Sequence, residues 1–98
     1  MIAEIQVVPT PTGTAQARWA HVDAAIAVIA GSGLAYEVGP LGTTLEGDPD
    51  GVWATLRRAH EATLAHGAAS AITIIKVLEA GDDTTMRDLT DPHRTRRG

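Results

Sequence analysis

From Met1 to Asp83 the hydrophobic pattern switches between a period of two and a period of 3.6, in the order strand, helix, strand, strand, helix, strand. That order constrains the fold more than any other property of the chain. Two β-α-β units in tandem close into one four-stranded antiparallel sheet with both helices on one face, an α+β sandwich of the ferredoxin-like βαββαβ type. The second face of the sheet is left bare, and any function assigned to the chain has to account for it.

The individual elements follow from local chemistry. Ile2–Val8 alternates with period two, placing Ala3, Ile5 and Val7 on one face and Glu4, Gln6 and Val8 on the other. Pro9 and Pro11 are expected to end this strand, because proline has no N–H for a ladder. Thr14 is expected to cap a helix over Ala15–Ala30 with an apolar stripe of Trp19, Val22, Ile26 and Ile29, stopped by Gly31-Ser32-Gly33. Leu34–Val38 and Thr43–Glu46 read as a hairpin about Gly39-Pro40-Leu41-Gly42, with Leu34, Tyr36, Val38, Thr43 and Leu45 turned to the helices. Asp48-Pro49 opens the second helix, which buries Val52, Leu56 and Ala59, sets Trp53, His60 and Leu64 along an adjoining edge, and ends at His66-Gly67. Ala69–Leu78 is the last strand. Residues 1–83 thus read as one ferredoxin-like domain, and 84–98, where periodicity fails, as a mobile C-terminal tail with one docked turn open to Met86 and Leu89.

Ninety-eight residues hold a single core, burying roughly 60–70% of the surface of the unfolded chain. Only Trp19, Tyr36 and Trp53 are aromatic, so that core is aliphatic and alanine-rich, and self-association is the simplest way to strengthen it. The absence of cysteine removes disulfides, thiolate metal sites and thiol nucleophiles. Met1 runs directly into a strand with no signal-like segment and no apolar span of membrane length, so a cytoplasmic location away from membranes is expected. Net charge is −4, and residues 1–83 carry four bases against ten acids. An acidic body poor in aromatics offers neither phosphate neutralisation nor stacking platforms for nucleic acid, and suits a small cation better.

The parity of the strands sends Glu4, Gln6, Glu37, Thr44, Glu46 and Thr73 to the bare face, which then serves as a solvated surface, a subunit contact or a ligand wall. Lys76 is either a snorkelling edge residue or the partner of an acid or a ligand phosphate. No two histidines have the i,i+4 spacing of a helical metal motif, so no metal site is expected. Neither Ser32 nor Ser70 sits in a nucleophile context, and no glycine loop precedes a helix to cradle phosphate.

Ala3-Glu4-Ile5 with Val7-Val8-Pro9, Ser32-Gly33-Leu34 leading to Tyr36-Glu37, Pro40-Leu41-Gly42-Thr43 with Glu46-Gly47, Ala59-His60-Glu61 and Thr73-Ile74-Ile75-Lys76 together resemble the small thiamine-binding protein family over about Met1 to Glu79. The resemblance implies binding of thiamine or its hydroxymethylpyrimidine part without turnover, and assembly into dimers and tetramers through the sheets. After Lys76 the chain departs from the family pattern, with Val77–Glu79 leading into a longer tail. Thiamine presents an amine donor, ring-nitrogen acceptors and a charged thiazolium, so its site needs a carboxylate or carbonyl, a donor, a ring face and negative potential. Tyr36, Glu37, Thr43, Thr44, Glu46 and Glu4 are the candidate ligand-binding residues. Glu46 or Glu37 would take the amine or balance the thiazolium, Thr43 and Thr44 would bond the pyrimidine, and Tyr36 would lie along a ring. The expected protein is therefore a cytoplasmic homotetramer, or at least a dimer, that stores, buffers or delivers the vitamin and needs no cofactor. The alternatives are a small cofactor-free enzyme of the dimeric α+β type, in which His60 and the open face act on a small organic substrate, and a purely structural module.

Overall fold

The structure, a computed structural model, describes residues 1–94. Its elements are β1 (Ile2–Thr10), α1 (Ala20–Ala30), β2 (Ala35–Val38), β3 (Thr43–Glu46), α2 (Pro49–Ala65), β4 (Ser70–Leu78) and α3 (Met86–Thr90), followed by a 3-10 turn at Asp91–His93. The four strands form one antiparallel sheet in the order β2-β3-β1-β4, the βαββαβ sandwich that the periodicity predicts. Ala3, Ile5 and Leu45 of the sheet join Ala25, Ile29, Val52, Leu56 and Ala59 of the two long helices in one buried cluster. Among the described residues no helix is long and apolar enough to cross a membrane.

β1 does not stop at Pro9. It pairs with β4 from Ile2↔Leu78 to Thr10↔Ser70. The reason lies in ladder alternation: Met1 exchanges both main-chain bonds with Gly47 on the β3 side, and every second residue after it, Pro9 included, turns its main-chain polar groups the same way. Beyond Ile5↔Thr43 no strand lies on that side, so the missing N–H of Pro9 breaks no ladder bond.

α1 begins at Ala20 rather than Ala15. Residues 12–19 instead satisfy one another locally: Thr14 N–H donates to Ala17 O (2.9 Å), Ala17 N–H to Thr14 Oγ1 (3.0 Å), and Thr12 Oγ1 to Arg18 O (2.9 Å). Hydroxyl groups that bond nearby main chain compete with the helix, and here they win. The buried face of α1 is correspondingly rotated to His21, Ala24, Ala25 and Ile29, leaving Val22 and Ile26 half-buried and Trp19 exposed. His21 tolerates burial because its Nδ1 meets Pro11 O at 2.7 Å. α2 starts at Asp48, whose carboxylate accepts from Gly51 N–H at 2.8 Å, with Pro49 at the first helical position.

Register corrects the parity of the last strand. Val7 pairs with Thr73, so Thr73 faces the helices, where His60 Nδ1 meets its hydroxyl at 2.5 Å. The residues of β4 on the far face are Ile72, Ile74, Lys76 and Leu78, beside Val8, Gln6 and Glu4. On the helix face Tyr36 and Val38 share the side of Leu45 and Thr43, yet remain half exposed because β2 is the edge strand.

The far face is also less bare than the βαββαβ plan implies. Thr85 caps α3 in a reciprocal capping box with Asp88, Met86 N–H donates to Glu46 Oε2 (2.7 Å), and Arg94 Nη2 reaches Glu37 Oε1 (2.8 Å). Glu37 and Glu46 belong to the far face, so residues 84–94 lie against its β2–β3 half. The last four residues of the expected tail, with their two arginines, fall outside the described residues.

Candidate functional site

A cavity of about 450 Å³ opens between β1, the first half of α1 and the β2–β3 turn. Its walls explain the rotation of α1. Trp19, Val22 and Ile26, three of the four stripe residues that the sequence assigns to the core, line this space instead, against Val7 and Pro9 of β1 and Leu41 of the turn. Leu41 is 79% exposed and Trp19 52%, so two large apolar side chains stand at the rim with little protein to cover them. The Arg18 guanidinium lies 5.1 Å from the centroid of the Trp19 ring and helps to hold it.

Polar groups in the wall are few and separate. Asp23 is the one ionisable side chain among the lining residues, and its exposure puts it at the mouth. Thr43 lies deeper: the residue is 4% exposed and lines the cavity, and since no buried side-chain polar atom lacks a partner among the described residues, its unbonded hydroxyl oxygen is open to the cavity. The turn can approach because Gly42 carries no side chain. A Cβ there would come within 3.2 Å of Ile5 O. A largely apolar chamber of this size with a small number of polar groups has the constitution of an organic-ligand site.

The six residues expected to bind ligand are not gathered in one place. Thr43 lies in this cavity. Tyr36, Glu37 and Glu46 share a second, shallower recess of about 440 Å³ with Leu34, Met86, Arg87 and Arg94. Both of its carboxylates are already engaged, Glu37 by Arg94 and Glu46 by Met86 N–H. Glu4 and Thr44 lie opposite each other on the far face, where Glu4 meets Lys76 Nζ at 3.6 Å, an exposed pair worth about 0–1 kcal/mol. Lys76 is thus the partner of an acid. His60 sits on the helix side of β4 rather than on the open face. No group of three or more potential metal ligands occurs among the described residues.

Asp23 escapes a search for apolar stripes because it interrupts one, although its spacing of four from Trp19 places both on one side of the helix.

Comparison with known proteins bears on the same stretch of chain. The profile of a family described as thiamine-binding protein matches residues 3–94. A UPF0045 protein from Clostridium perfringens is 32% identical over 73 residues, which cover 74% of this chain and 77% of that protein. Among solved structures, a domain of unknown function, DUF77, from Bacillus cereus superposes with a TM-score of 0.83 at 33% identity, over 95% of this chain and 88% of its own. A candidate thiamine biosynthesis/salvage protein from Thermotoga maritima superposes with a TM-score of 0.80 over 95% of this chain and 97% of its own, and at 22% identity that likeness concerns the fold.

Proposed function

This chain belongs to the thiamine-binding protein family, and from that premise we propose that it binds thiamine or its hydroxymethylpyrimidine moiety, without turning it over, in the cavity beneath α1. One observation carries the choice of site: a half-open, largely apolar chamber presents the Thr43 hydroxyl inside and one carboxylate at its mouth. The flat pyrimidine goes inward, where Val22, Ile26 and Val7 supply apolar contact and Thr43 a hydrogen bond. The thiazolium stays at the mouth, between the Trp19 ring and Asp23.

Of the six residues expected from the sequence, the proposal retains Thr43 at the centre of the site. Tyr36 lines the other recess, Glu37 and Glu46 are held by the C-terminal segment, and Glu4 and Thr44 face away from the chamber. Storage, buffering or delivery of the vitamin in the cytoplasm is the role that accompanies binding alone. We further propose a homo-oligomer, at least a dimer and in full a tetramer, on the strength of β4: Ile72 is 67% exposed and Ile74 49%, on an edge strand whose outer side has no paired strand among the described residues.

Calorimetry with two ligands tests the binding mode. Both thiamine and neutral hydroxymethylpyrimidine should give heat with the wild-type chain, thiamine binding more tightly. Asp23→Asn should weaken thiamine severalfold and leave hydroxymethylpyrimidine nearly unchanged, because only the former carries a charge at the mouth. Absence of heat from either at millimolar concentration discards the proposal.

A further inference from the structure

β1 outruns β3. Their pairing begins at Ile2↔Glu46 and ends at Ile5↔Thr43, whereas on its other side β1 remains paired with β4 as far as Thr10↔Ser70. Because Met1 and Gly47 exchange both main-chain bonds, the alternation of an antiparallel ladder directs the N–H and C=O of Ala3, Ile5 and then Val7 to the β3 side. The residue that a longer β3 would set opposite Val7 is Leu41. It lies instead in the turn closed by Gly39 N–H donating to Gly42 O at 2.8 Å. Val7 N–H and C=O consequently have no main-chain partner among the described residues, and the space they face is the cavity, which Val7, Leu41 and Thr43 all line.

A donor and an acceptor from one residue on an unpaired strand edge form a fixed template that an incoming strand would satisfy. A planar heterocycle with an amine beside a ring nitrogen carries the complementary pattern. Its amine donates to the carbonyl and its ring nitrogen accepts from the amide. Resting on the ligand class proposed above, we propose that the chamber reads its ligand through the main chain of Val7, the aminopyrimidine edge taking the place of the strand residue that Leu41 does not supply. The Thr43 hydroxyl, open to the cavity beside this edge, serves the second ring nitrogen.

This assignment makes the amine the specificity element. In the 4-oxo analogue of thiamine the exocyclic group is an acceptor and the adjacent ring nitrogen a donor, so each faces its like on Val7. Turning the ring over restores the pair only by pointing the arm that carries the thiazolium away from Asp23. A site built around a donor rejects the analogue that lacks it.

The test uses the full chain, nitrogen-15 labelled, with thiamine and its 4-oxo analogue as probes. At saturating thiamine the Val7 amide should exchange with solvent at least tenfold more slowly, while the Ile5 amide, already within the β1–β3 ladder, changes little. The 4-oxo analogue should bind at least tenfold more weakly. If thiamine binds and the Val7 amide is unprotected, or the analogue binds equally well, the main-chain reading is overturned and the ligand assignment survives. If neither probe binds, both fall together.

Discussion

Thr43 shows how a residue can be built for something other than the stability of its own fold. A buried hydroxyl ordinarily finds a partner, and those of Thr55 and Thr63 do, on Gly51 O and His60 O. The Thr43 hydroxyl instead opens to the cavity and makes no such bond among the described residues, so Thr43→Val should leave the melting temperature within about 2 °C of wild type while weakening thiamine about tenfold. Thermal denaturation and calorimetry on the same preparation check both halves; a large loss of stability would make Thr43 a structural residue. Gly67 behaves oppositely. Its φ of +118° is one that residues with a side chain rarely adopt, and a would-be Cβ would crowd His21 Nε2 at 3.3 Å, so Gly67→Ala should cost about 1–3 kcal/mol in denaturant unfolding without a direct effect on the cavity. At this scale the sequence was partly readable. Thr43 stands out through its turn and its family-like context, and Trp19, Val22 and Ile26 through their spacing, although the stripe serves a chamber rather than the core. Val7 offers no signal at all, because what matters there is main chain, and only the register of two neighbouring strands exposes it.

Among the elements, those with strong local chemistry were legible and those set by competition were not. α2 is announced by Asp48-Pro49 and carries its expected stripe, so Asp48→Ala should lower stability by about 1 kcal/mol, measurable by urea unfolding followed by circular dichroism. The start of α1 is not legible because Thr12 and Thr14 bond the loop rather than a longer helix, and neither is the end of β1, because the side on which Pro9 lacks its N–H depends on where β3 stops. α3 is marked by a capping box at Thr85 and Asp88, yet nothing local says that it reaches Glu46. Just before it, bonds from the Thr84 side chain and main chain hold the Asp82 carboxyl below its ordinary value. A carboxylate with a depressed folded pKa contributes above its unfolded pKa and loses that contribution as pH falls through the folded one. The turn at 82–84 should therefore loosen below about pH 4, seen as faster amide exchange at Thr84 while the β1–β4 ladder stays protected.

For the whole molecule the two edges and two faces of the sheet are unequal, and that inequality points to how copies meet. Both long helices cover one face, and residues 84–94 lie against the β2–β3 half of the other, held by Glu46 and Glu37. What remains is the β1–β4 half with Val8, Ile72, Ile74 and Leu78, continuous with the free edge of β4. A nine-residue, largely apolar strand whose outer edge is unpaired among the described residues is a template for pairing, and a chain that lacks an aromatic core gains most by covering it. A carboxylate on this surface would have to be buried unpaired in such a contact, which costs several kcal/mol, whereas on an isolated subunit it would remain in water at almost no cost. Ile72→Glu with Ile74→Glu should accordingly reduce the sedimenting mass from an oligomer to a smaller species while preserving the far-ultraviolet circular dichroism. Because the cavity is lined by one chain, with only Gln6 and Val8 reaching it from the far face, the dissociated variant should still bind thiamine. A wild-type chain that sediments as a monomer would remove the case for assembly through β4, and loss of binding on dissociation would show that the chamber depends on a second copy.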